Sequence, residues 1–348
     1  MQRVLSGIRA TGRLHLGNYL GAVKGMLALQ ERTDLETFFM VADVHSITTP
    51  FKPSDLAHNR REIIIDYLAA GLDPEKSVLF LQSMVDEHVA LAFYLSSAVS
   101  VARMQHLPTF KEKVKQYPDN VTLALLNYPV LMASDILLYK ANLVPVGIDQ
   151  EPHLEIAREI AHKMNEQYNL TLPEPQRFAT TGEYVPSLRG DGKMSKSVEG
   201  SYITITDDLE TIKKRLAGAA TDSGKGSITS ETKEYAGKKI EKKLYTDQTG
   251  QLSEVGNLLT FVELFLGKAA RDEAEQLYQG SGIRYGDLKQ QLAEEIYRQL
   301  EPLQSKRSEL VANTAYVDAV IENGAAKARA VAKQTLEEVK TSMGLGQG

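Results

Sequence analysis

Hydrophobic residues in the first two hundred positions fall into short continuous runs that alternate with longer segments of helical spacing. Residues 4–8 form a short apolar run that predicts a buried strand, and apolar positions from Leu16 to Leu29 recur at the spacing of a helix. The same alternation predicts further strands at 37–42, 78–82 and 143–146, and helices at 54–70, 87–101, 121–139 and 152–165. Strands that alternate with helices predict an α/β fold with a doubly wound parallel sheet covered by helices on both faces.

The strand pattern fades after about residue 205, and residues 207–345 are predicted to be almost entirely helical. Two segments rich in small and polar residues, 224–230 and 280–286, predict loops within this part. We therefore expect two domains. The first covers residues 1–205 and ends in the loop 188–200, and the second is a helical domain of residues 206–348 whose last helix could pack back on the first.

The composition excludes several classes of function. Cysteine is absent, which rules out disulfides, thiolate catalysis and zinc or iron–sulfur centres held by cysteine. The 45 acidic and 40 basic residues leave a net charge of -5, so any contact with RNA must rely on local patches. The apolar stretch at the N-terminus is far too short for a signal peptide or a membrane span, which predicts a cytoplasmic protein without a membrane partner.

Residues 188–198, LRGDGKMSKSV, contain the first candidate chemistry. Lys193 and Lys196 place two ammonium groups three residues apart on a loop in which Gly190 and Gly192 permit positive φ angles. Such a loop suits a polyphosphate that is bound only when the loop closes. A bare pair of lysines would more often be a solvated basic loop, but the five-residue string KMSKS is far more specific.

Residues 11–18, TGRLHLGN, lie at the predicted junction of the first strand and first helix, where open parallel sheets bind nucleotides. Gly17 removes a side chain where the helix start would approach a nucleotide. His15 and Asn18 can donate hydrogen bonds to phosphate or ring oxygens, and the helix N-terminus adds its dipole. Taken alone, His15 could equally be an ordinary surface histidine.

These two segments together resemble the HIGH and KMSKS signatures of class I aminoacyl-tRNA synthetases, with HLGN in place of HIGH. Residues 144–150, VPVGIDQ, are similar to the GxDQ motif of the tyrosyl and tryptophanyl subclass. The resemblance implies a Rossmann-like, HUP-type catalytic domain with a C-terminal helical domain that binds the anticodon. In the GxDQ-like motif, Gly147 would pack against the nucleotide, Asp149 would accept from the ribose hydroxyls, and Gln150 would bind the polar head of the amino acid.

The resemblance also implies the ATP site. Its residues would be Arg9, Gly17, Asn18, Gly147, Asp149, Lys193, Met194, Ser195 and Lys196, and its catalytic groups Lys193, Lys196, Lys113 and His15. Lys113 is assigned from residues 109–113, TFKEK, which resemble a family segment that reaches the ATP phosphates; the alternative is a solvated helix face. Arg9 departs from the glutamine common at this position in bacterial relatives, and it would add positive charge near the phosphates.

Asp135 is the best candidate for reading the amino acid, because a carboxylate in the apolar segment 128–139 needs a polar partner. The segment resembles the tryptophanyl branch, which implies that Asp135 accepts the indole N–H, a group that can only donate. Alternatively, Asp135 faces water or caps a turn. The resemblance further assigns Leu5, Gly7, His45, Tyr128, Met132 and Gln150 to the tryptophan site. Met132 and His45 could instead be core residues.

The implied reaction is the activation of L-tryptophan by ATP with Mg²⁺, release of pyrophosphate, and transfer of the acyl group to the 2′-hydroxyl of the terminal adenosine of tRNA(Trp). No metal bound by the protein itself is expected, and the family resemblance implies a homodimer. Three rival functions remain open. They are tyrosine activation by the same fold, a nucleotidyltransferase of the same superfamily, and a non-catalytic paralogue that binds tRNA or a regulatory partner.

Overall fold

The structure is a computed structural model that describes residues 1–178, 185–189, 192–196, 198–235 and 238–346. The chain divides into two compact units. Unit 1 comprises Met1–Arg13, Leu20–Glu183 and Lys306–Gly348, and unit 2 comprises Leu14–Tyr19 and Tyr184–Ser305. The boundary expected near residue 205 falls inside unit 2, so the division into a catalytic and an anticodon-binding domain stays a prediction.

Unit 1 contains a five-stranded parallel sheet in the order β3-β2-β1-β4-β5. The strands are β1 Gln2–Arg9, β2 Leu35–Ala42, β3 Val78–Leu81, β4 Leu143–Val144 and β5 Gln176–Arg177. The chain proceeds to one side of β1 through β2 and β3, and to the other side through β4 and β5. The direction of winding therefore changes beside β1, and the carboxyl edge of the sheet at such a point is where open α/β sheets bind their ligands.

The predicted strands and helices of unit 1 are confirmed, with differences at their ends. The helix predicted from Leu16 to Leu29 is interrupted by a π-helical segment at Tyr19–Val23. The α-helices of the described residues are α1 Leu16–Asn18, α2 Lys24–Gln30, α3 Pro53–Ala70, α4 Glu87–Leu95, α5 Val101–Gln105, α6 Pro108–Gln116, α7 Leu123–Leu138, α8 Glu151–Tyr168, α9 Leu209–Ala217, α10 Val255–Leu266, α11 Lys268–Gln279, α12 Tyr285–Ala312 and α13 Thr314–Ser342. The helix predicted over 87–101 ends early, where the hydroxyl of Ser96 donates to the carbonyl of Ala92 (2.8 Å) and competes with the helix ladder. The fourth strand is shorter than expected because Pro145 has no N–H to donate.

The C-terminal segment of unit 1 packs against the sheet and its helices. Arg307 forms ion pairs with the buried carboxylates of Glu62 and Asp66 on α3. On α13, Gly324 lies so close to the backbone of Leu79 that an added Cβ would collide with the Leu79 carbonyl. Here glycine is needed for the close approach of helix and strand. Among the described residues, no helix is long and apolar enough to cross a lipid bilayer.

Unit 2 combines helices with a three-stranded antiparallel sheet of β6 Gly226–Tyr235, β7 Lys238–Asp247 and β8 Leu252–Ser253. The prediction of an almost entirely helical second part is wrong for this sheet, and the loop predicted at 224–230 is wrong from residue 226 onwards. The glycine that suggested a loop has a packing role instead, because a Cβ on Gly226 would meet the carbonyl of Thr246 and the ring of Tyr278. The loop predicted at 280–286 is confirmed up to residue 284.

Candidate active site

Polar side chains collect at the carboxyl edge of the sheet in unit 1. β2 ends at Ala42 and is followed by the short helical turn Val44–Thr48, which carries His45. β3 ends at Leu81 and is followed by Gln82, whose side chain is fully buried. Both side chains are therefore presented at the ends of adjacent parallel strands, and both contact Asp135 on α7.

The carboxylate of Asp135 is the centre of a buried hydrogen-bond network. Asp135 is 1% exposed, which excludes the alternative that it faces water. Its Oδ2 is 2.8 Å from His45 Nε2. Its Oδ1 accepts from Gln82 Nε2 (2.7 Å) and lies 2.6 Å from His88 Nδ1. The second nitrogen of His88 lies 2.9 Å from the hydroxyl of Tyr139, so the network continues into the core.

Electrostatics keep Asp135 ionised. Burial raises the pKa of the Asp135 carboxyl, but the charge and hydrogen bond of His45, together with those of His88, outweigh it and hold the pKa below its ordinary value. Burial also raises the pKa of Tyr139 well above its ordinary value, so its hydroxyl keeps the proton. A carboxylate that is buried, charged and paired with donors is a strong acceptor for one more N–H.

A second buried histidine, His153 on α8, contacts side chains of α6, α7 and the turn Ile148–Gln150. Its Nε2 lies 2.7 Å from the hydroxyl of Tyr128 and 3.0 Å from that of Thr109, and its Nδ1 lies 3.1 Å from Gln150 Oε1. Burial lowers the pKa of His153 to about 4, so the ring is neutral at pH 7. Because Gln150 Oε1 can only accept, Nδ1 carries the proton, and the single lone pair of Nε2 accepts from the nearer hydroxyl, that of Tyr128. Tyr128 and Gln150 are thus held together as expected.

Two cations of unit 1 also lie near each other. Burial lowers the pKa of the half-buried Lys113 ammonium, and the positive charge of Arg9 lowers it further. Burial likewise lowers the pKa of Arg9, while Tyr117 and Tyr128 act in the opposite direction. Lys113 Nζ donates to Gln116 (2.7 Å) and lies 5.5 Å from the centre of the Tyr117 ring. Such a pair of cations is suited to an anion.

The remaining predicted residues of unit 1 have mixed surroundings. Leu5 is buried in the hydrophobic core beside the sheet, and Met132 is half-buried and packs against that core. Gly7 allows β1 and β2 to pack closely, because a Cβ there would lie 2.7 Å from Met40 Cγ. Gly147 precedes the turn Ile148–Gln150 at a φ of -62°, so glycine is not required there for its backbone angle. The exposed Asp149 accepts from Gln150 Nε2 (2.8 Å).

In unit 2, His15 and Asn18 cap the short helix α1 reciprocally. The backbone N–H of Asn18 donates to His15 Nδ1 (3.2 Å), and the backbone N–H of His15 donates to Asn18 Oδ1 (3.3 Å). Since Nδ1 accepts, the proton of the neutral ring is on Nε2, which becomes a donor. His15 is therefore not an ordinary surface histidine, because it is 7% exposed and its tautomer is fixed.

The KMSKS-like segment of unit 2 contacts α1 directly. The backbone N–H of Gly17 lies 3.3 Å from the sulfur of the buried Met194, and a Cβ on Gly17 would lie 2.9 Å from the His15 ring and 3.3 Å from Met194 Cβ. The carbonyl of Ser195 accepts from the hydroxyl of Ser201 (2.6 Å). Gly192 has a φ of 105°, as expected of a residue that needs this conformation, whereas Gly190 and Ser197 lie outside the described residues.

Positive charge converges on His15. Burial lowers the pKa of His15 to about 3, and the charges of Lys196 and then Lys193 contribute. Lys193 is exposed and Lys196 half-buried. Two ammonium groups and an N–H donor from segments almost 180 residues apart thus act on the same region of unit 2. This arrangement favours a polyphosphate, as the two motifs predict.

The sequence did not reveal the buried residues that hold the predicted site residues in place. Gln82, His88, Tyr139 and His153 are fully buried or nearly so and form the hydrogen bonds that fix Asp135, Tyr128 and Gln150. A signal existed for Gln82, because it directly follows a predicted strand, and for His153, because it stands one helical turn after Gln150. His88 gave no such signal, since a histidine among apolar residues is usually a core residue.

Known proteins resemble this chain over nearly its whole length. The family model for class I tRNA synthetases (W and Y) matches residues 1–301. Tryptophan--tRNA ligase of Porphyromonas gingivalis is 40% identical over 99% of both chains, and that of Helicobacter pylori is 39% identical over 99% of both. The solved tryptophanyl-tRNA synthetase of Campylobacter jejuni, complexed with ADP and tryptophan, gives a TM-score of 0.80 at 30% identity and covers 99% of this chain and 100% of its own. That of Mycoplasma pneumoniae gives a TM-score of 0.80 at 32% identity over 99% and 98%. With both signature segments in place and a match of this extent, the chain belongs to the class I tRNA synthetases of the tryptophan and tyrosine family.

Proposed function

We propose that the protein is specific for tryptophan, which it activates with ATP and transfers to tRNA(Trp). The observation that carries this proposal is the buried, ionised carboxylate of Asp135, which is bonded to His45 and lies on the same helix as Tyr128 and Met132. A site built around a buried acceptor binds an indole N–H and rejects side chains that lack a donor. The names of the full-length relatives support the same specificity.

The first chemical step needs no nucleophile from the enzyme. A carboxylate oxygen of tryptophan attacks the α-phosphorus of ATP, the bond from that phosphorus to the bridging oxygen breaks, and pyrophosphate leaves with the electron pair. In the second step the 2′-hydroxyl of the terminal tRNA adenosine attacks the carbonyl carbon, and AMP leaves. Catalysis then consists of aligning the reactants and stabilising the charge that grows on the phosphates.

The residues of each unit are assigned to parts of this reaction. In unit 2, Lys193, Lys196 and the Nε2–H of His15 would stabilise the phosphates, with Gly17, Asn18, Met194 and Ser195 completing the contacts to ATP. In unit 1, Lys113 and Arg9 would add positive charge, and Gly147 and Asp149 would hold the ribose. Tyr128 and Gln150 would bind the polar head of tryptophan, while Leu5, Gly7, His45, Met132 and Asp135 surround its indole.

Magnesium belongs to this reaction as part of the ATP substrate. No group of three or more potential ligands that could hold a metal ion occurs within the described part of the chain. The ion would therefore reach the site already bound to the phosphate oxygens of ATP, which Mg²⁺ prefers. The protein's contribution is to bind the complex through its lysines.

Pyrophosphate exchange into ATP, measured with each of the twenty amino acids in turn, tests the specificity. We expect exchange with tryptophan and little with tyrosine or phenylalanine, because phenylalanine has no donor and the O–H of tyrosine lies at a different position on the side chain from the indole N–H. Exchange that is faster with tyrosine would show that the tyrosine-activating alternative is correct. Absence of exchange with every amino acid would favour a non-catalytic tRNA-binding paralogue.

We also propose a homodimer, with α4 in the contact between the two copies. Val89 and Phe93 are one helical turn apart and are 53% and 77% exposed, an unusual exposure for such side chains. Covering them with a second copy of the chain would stabilise the dimer by roughly 1.5–3 kcal/mol for each fully buried side chain. The proposed anticodon-binding domain of residues 206–348 would contact the tRNA.

Phe93→Asp is expected to shift the protein from dimer to monomer, because a charge replaces an apolar contact at the centre of this face. Analytical ultracentrifugation over a range of concentrations measures the change. Leu252→Asp is the matched control, since Leu252 is 74% exposed but lies on β8 in unit 2. A Phe93 variant that remains as dimeric as the control would exclude α4 from the interface.

A further inference from the structure

His88 and Gln82 occupy the side of Asp135 that faces the core. Both are 0% exposed, as is Tyr139, which extends the network further inward. His45, on the other side of the carboxylate, is 8% exposed, and its charge contributes to lowering the pKa of His153, which contacts Tyr128 and Gln150. The two oxygens of Asp135 therefore differ. Oδ1 is turned towards the core and Oδ2 towards the residues assigned to the amino acid.

The orientation of the Gln82 amide is fixed by its backbone contacts. Gln82 Oε1 accepts from the backbone N–H groups of Val44 (3.1 Å) and His45 (3.3 Å). Its other terminal atom, Nε2, must then be the one that donates to Asp135 Oδ1 at 2.7 Å. One buried amide thus binds both the turn that carries His45 and the carboxylate that His45 contacts.

The proton of His88 is placed by a similar argument. An ionised carboxylate only accepts, so His88 Nδ1 must donate to Asp135 Oδ1. The other ring nitrogen, Nε2, lies 2.9 Å from the hydroxyl of Tyr139. Phe80 stacks on the His88 ring at 6.0 Å between centroids and keeps it in this plane.

The acceptor sites of the carboxylate can now be counted. A carboxylate offers about two lone-pair positions on each oxygen. On Oδ1, both are taken by His88 and Gln82. Among the residues that the structure describes, His45 is the one donor bonded to Oδ2, at 2.8 Å. One acceptor position therefore remains on Oδ2, the oxygen that faces away from the core.

We propose that His88 and Gln82 are positioning residues for amino-acid specificity, because they saturate Oδ1 of Asp135 and direct the single remaining acceptor position on Oδ2 towards the indole N–H. This inference rests on the proposed function, in which Asp135 reads the indole. Neither residue touches the substrate. Without their donors, the carboxylate is free to rotate and its charge is less well stabilised, so the hydrogen bond to the indole weakens.

The test compares tryptophan with 3-(benzothiophen-3-yl)-L-alanine, an analogue of the same shape in which sulfur replaces the N–H. The ratio of kcat/KM for tryptophan to that for the analogue, from pyrophosphate exchange, reports only the hydrogen bond to the N–H. We expect His88→Leu to lower this ratio at least tenfold. His88→Asn should retain most of the ratio, because an amide N–H can replace Nδ1–H. A purely structural role for His88 would lower both kcat/KM values equally and leave the ratio unchanged, which would overturn the inference.

Two further variants complete the design. Thr37→Val is the matched control, because it removes a different buried hydrogen bond, that of Thr37 to Ser77 (2.7 Å), from the amino end of the same region of sheet. Its ratio should equal that of the wild type. If thermal unfolding shows that His88→Leu does not fold, Gln82→Glu replaces it. This change keeps the shape but sets an oxygen against Oδ1, and the same fall in the ratio is expected.

Asp135→Asn separates failure of this inference from failure of the proposed function. If the Asp135 variant keeps the wild-type ratio, the carboxylate does not read the indole, and the role of Asp135 on which the proposed function rests is wrong. Alternatively, the ratio falls in the Asp135 variant but stays at the wild-type value in folded His88→Leu or Gln82→Glu. Asp135 then reads the indole without being positioned by His88 and Gln82. In that case only the positioning role is overturned.

Discussion

Lys196→Ala is expected to slow tryptophan-dependent pyrophosphate exchange on the order of a hundredfold, the typical cost of removing one preorganised donor from a developing charge. Lys196 lies close enough to His15 for its charge to lower the pKa of that ring. The ammonium therefore lies near the N–H donor of His15. If Lys196 acts on the departing pyrophosphate, the loss will be in kcat rather than in KM for ATP, because the interaction is strongest in the transition state.

A change in the protonation state of His15 does not contribute to the expected loss of rate in Lys196→Ala. Removing Lys196 takes away one of the charges that lower the pKa of His15, so that pKa rises. Burial is the larger cause of the shift to about 3 and is unchanged in the variant. The ring therefore stays neutral at pH 7, and its Nε2–H remains a donor. Any loss of rate then belongs to the missing ammonium itself.

Lys268→Ala is the matched control for charge. Lys268 is an exposed lysine of the same unit that pairs with Asp272 four residues along α11. Its loss should leave exchange unchanged, since exposed pairs of this kind contribute little. Exchange at the wild-type rate in Lys196→Ala would remove Lys196 from the phosphate site and leave Lys193 as the remaining candidate in that segment.

The fold was most predictable where the period of the hydrophobic pattern was unambiguous. β2 is buried along nearly its whole length, which gives the continuous apolar run of a central parallel strand. The sheet of unit 2 escaped prediction because its strands are rich in lysine, glutamate, serine and threonine. Their stability depends on pairing over ten positions, from Gly226 opposite Asp247 to Tyr235 opposite Lys238. The paired positions are close in sequence, but such polar strands lack the apolar run or alternation that marks a strand in a local window of sequence.

The site was predictable where short motifs carried it and where a single carboxylate, Asp135, stood in an apolar helix. His15, Gly17 and Lys196 belong to strings specific enough to stand out, and the structure brings their segments together within unit 2. The supporting residues could not be found in this way. His88 lies 47 positions from Asp135 in the sequence, and Gln82 lies 53 positions from it. A buried hydrogen bond between residues this far apart leaves no local pattern in the sequence. Only the three-dimensional arrangement identifies which polar core residues fix the site.

Asp135→Asn is expected to lower kcat/KM for tryptophan by roughly tenfold to a hundredfold, the equivalent of losing a charge-assisted hydrogen bond of about 1.5–3 kcal/mol. The amide oxygen of asparagine will face His88 and Gln82, because two donors converge on the Oδ1 position. Its NH₂ group must then replace Oδ2 and would meet the indole N–H, donor against donor. The discrimination against phenylalanine should narrow by a similar factor, because phenylalanine has no donor and therefore loses no hydrogen bond in the variant.

Binding can be measured directly, because the chain contains no tryptophan and the fluorescence of the ligand has no indole background from the protein. The Asp135 variant should bind tryptophan more weakly by the same factor that lowers kcat/KM, since the hydrogen bond to the indole is formed equally in the ground and transition states. In contrast to Lys196→Ala, kcat for tryptophan should then change little and KM should rise. Unchanged binding and unchanged selectivity would show that the indole does not reach Asp135. The buried carboxylate with its three donors would then be a structural feature of the core. The preference for tryptophan would have to arise only from the shape of the pocket formed by the apolar residues assigned to the indole.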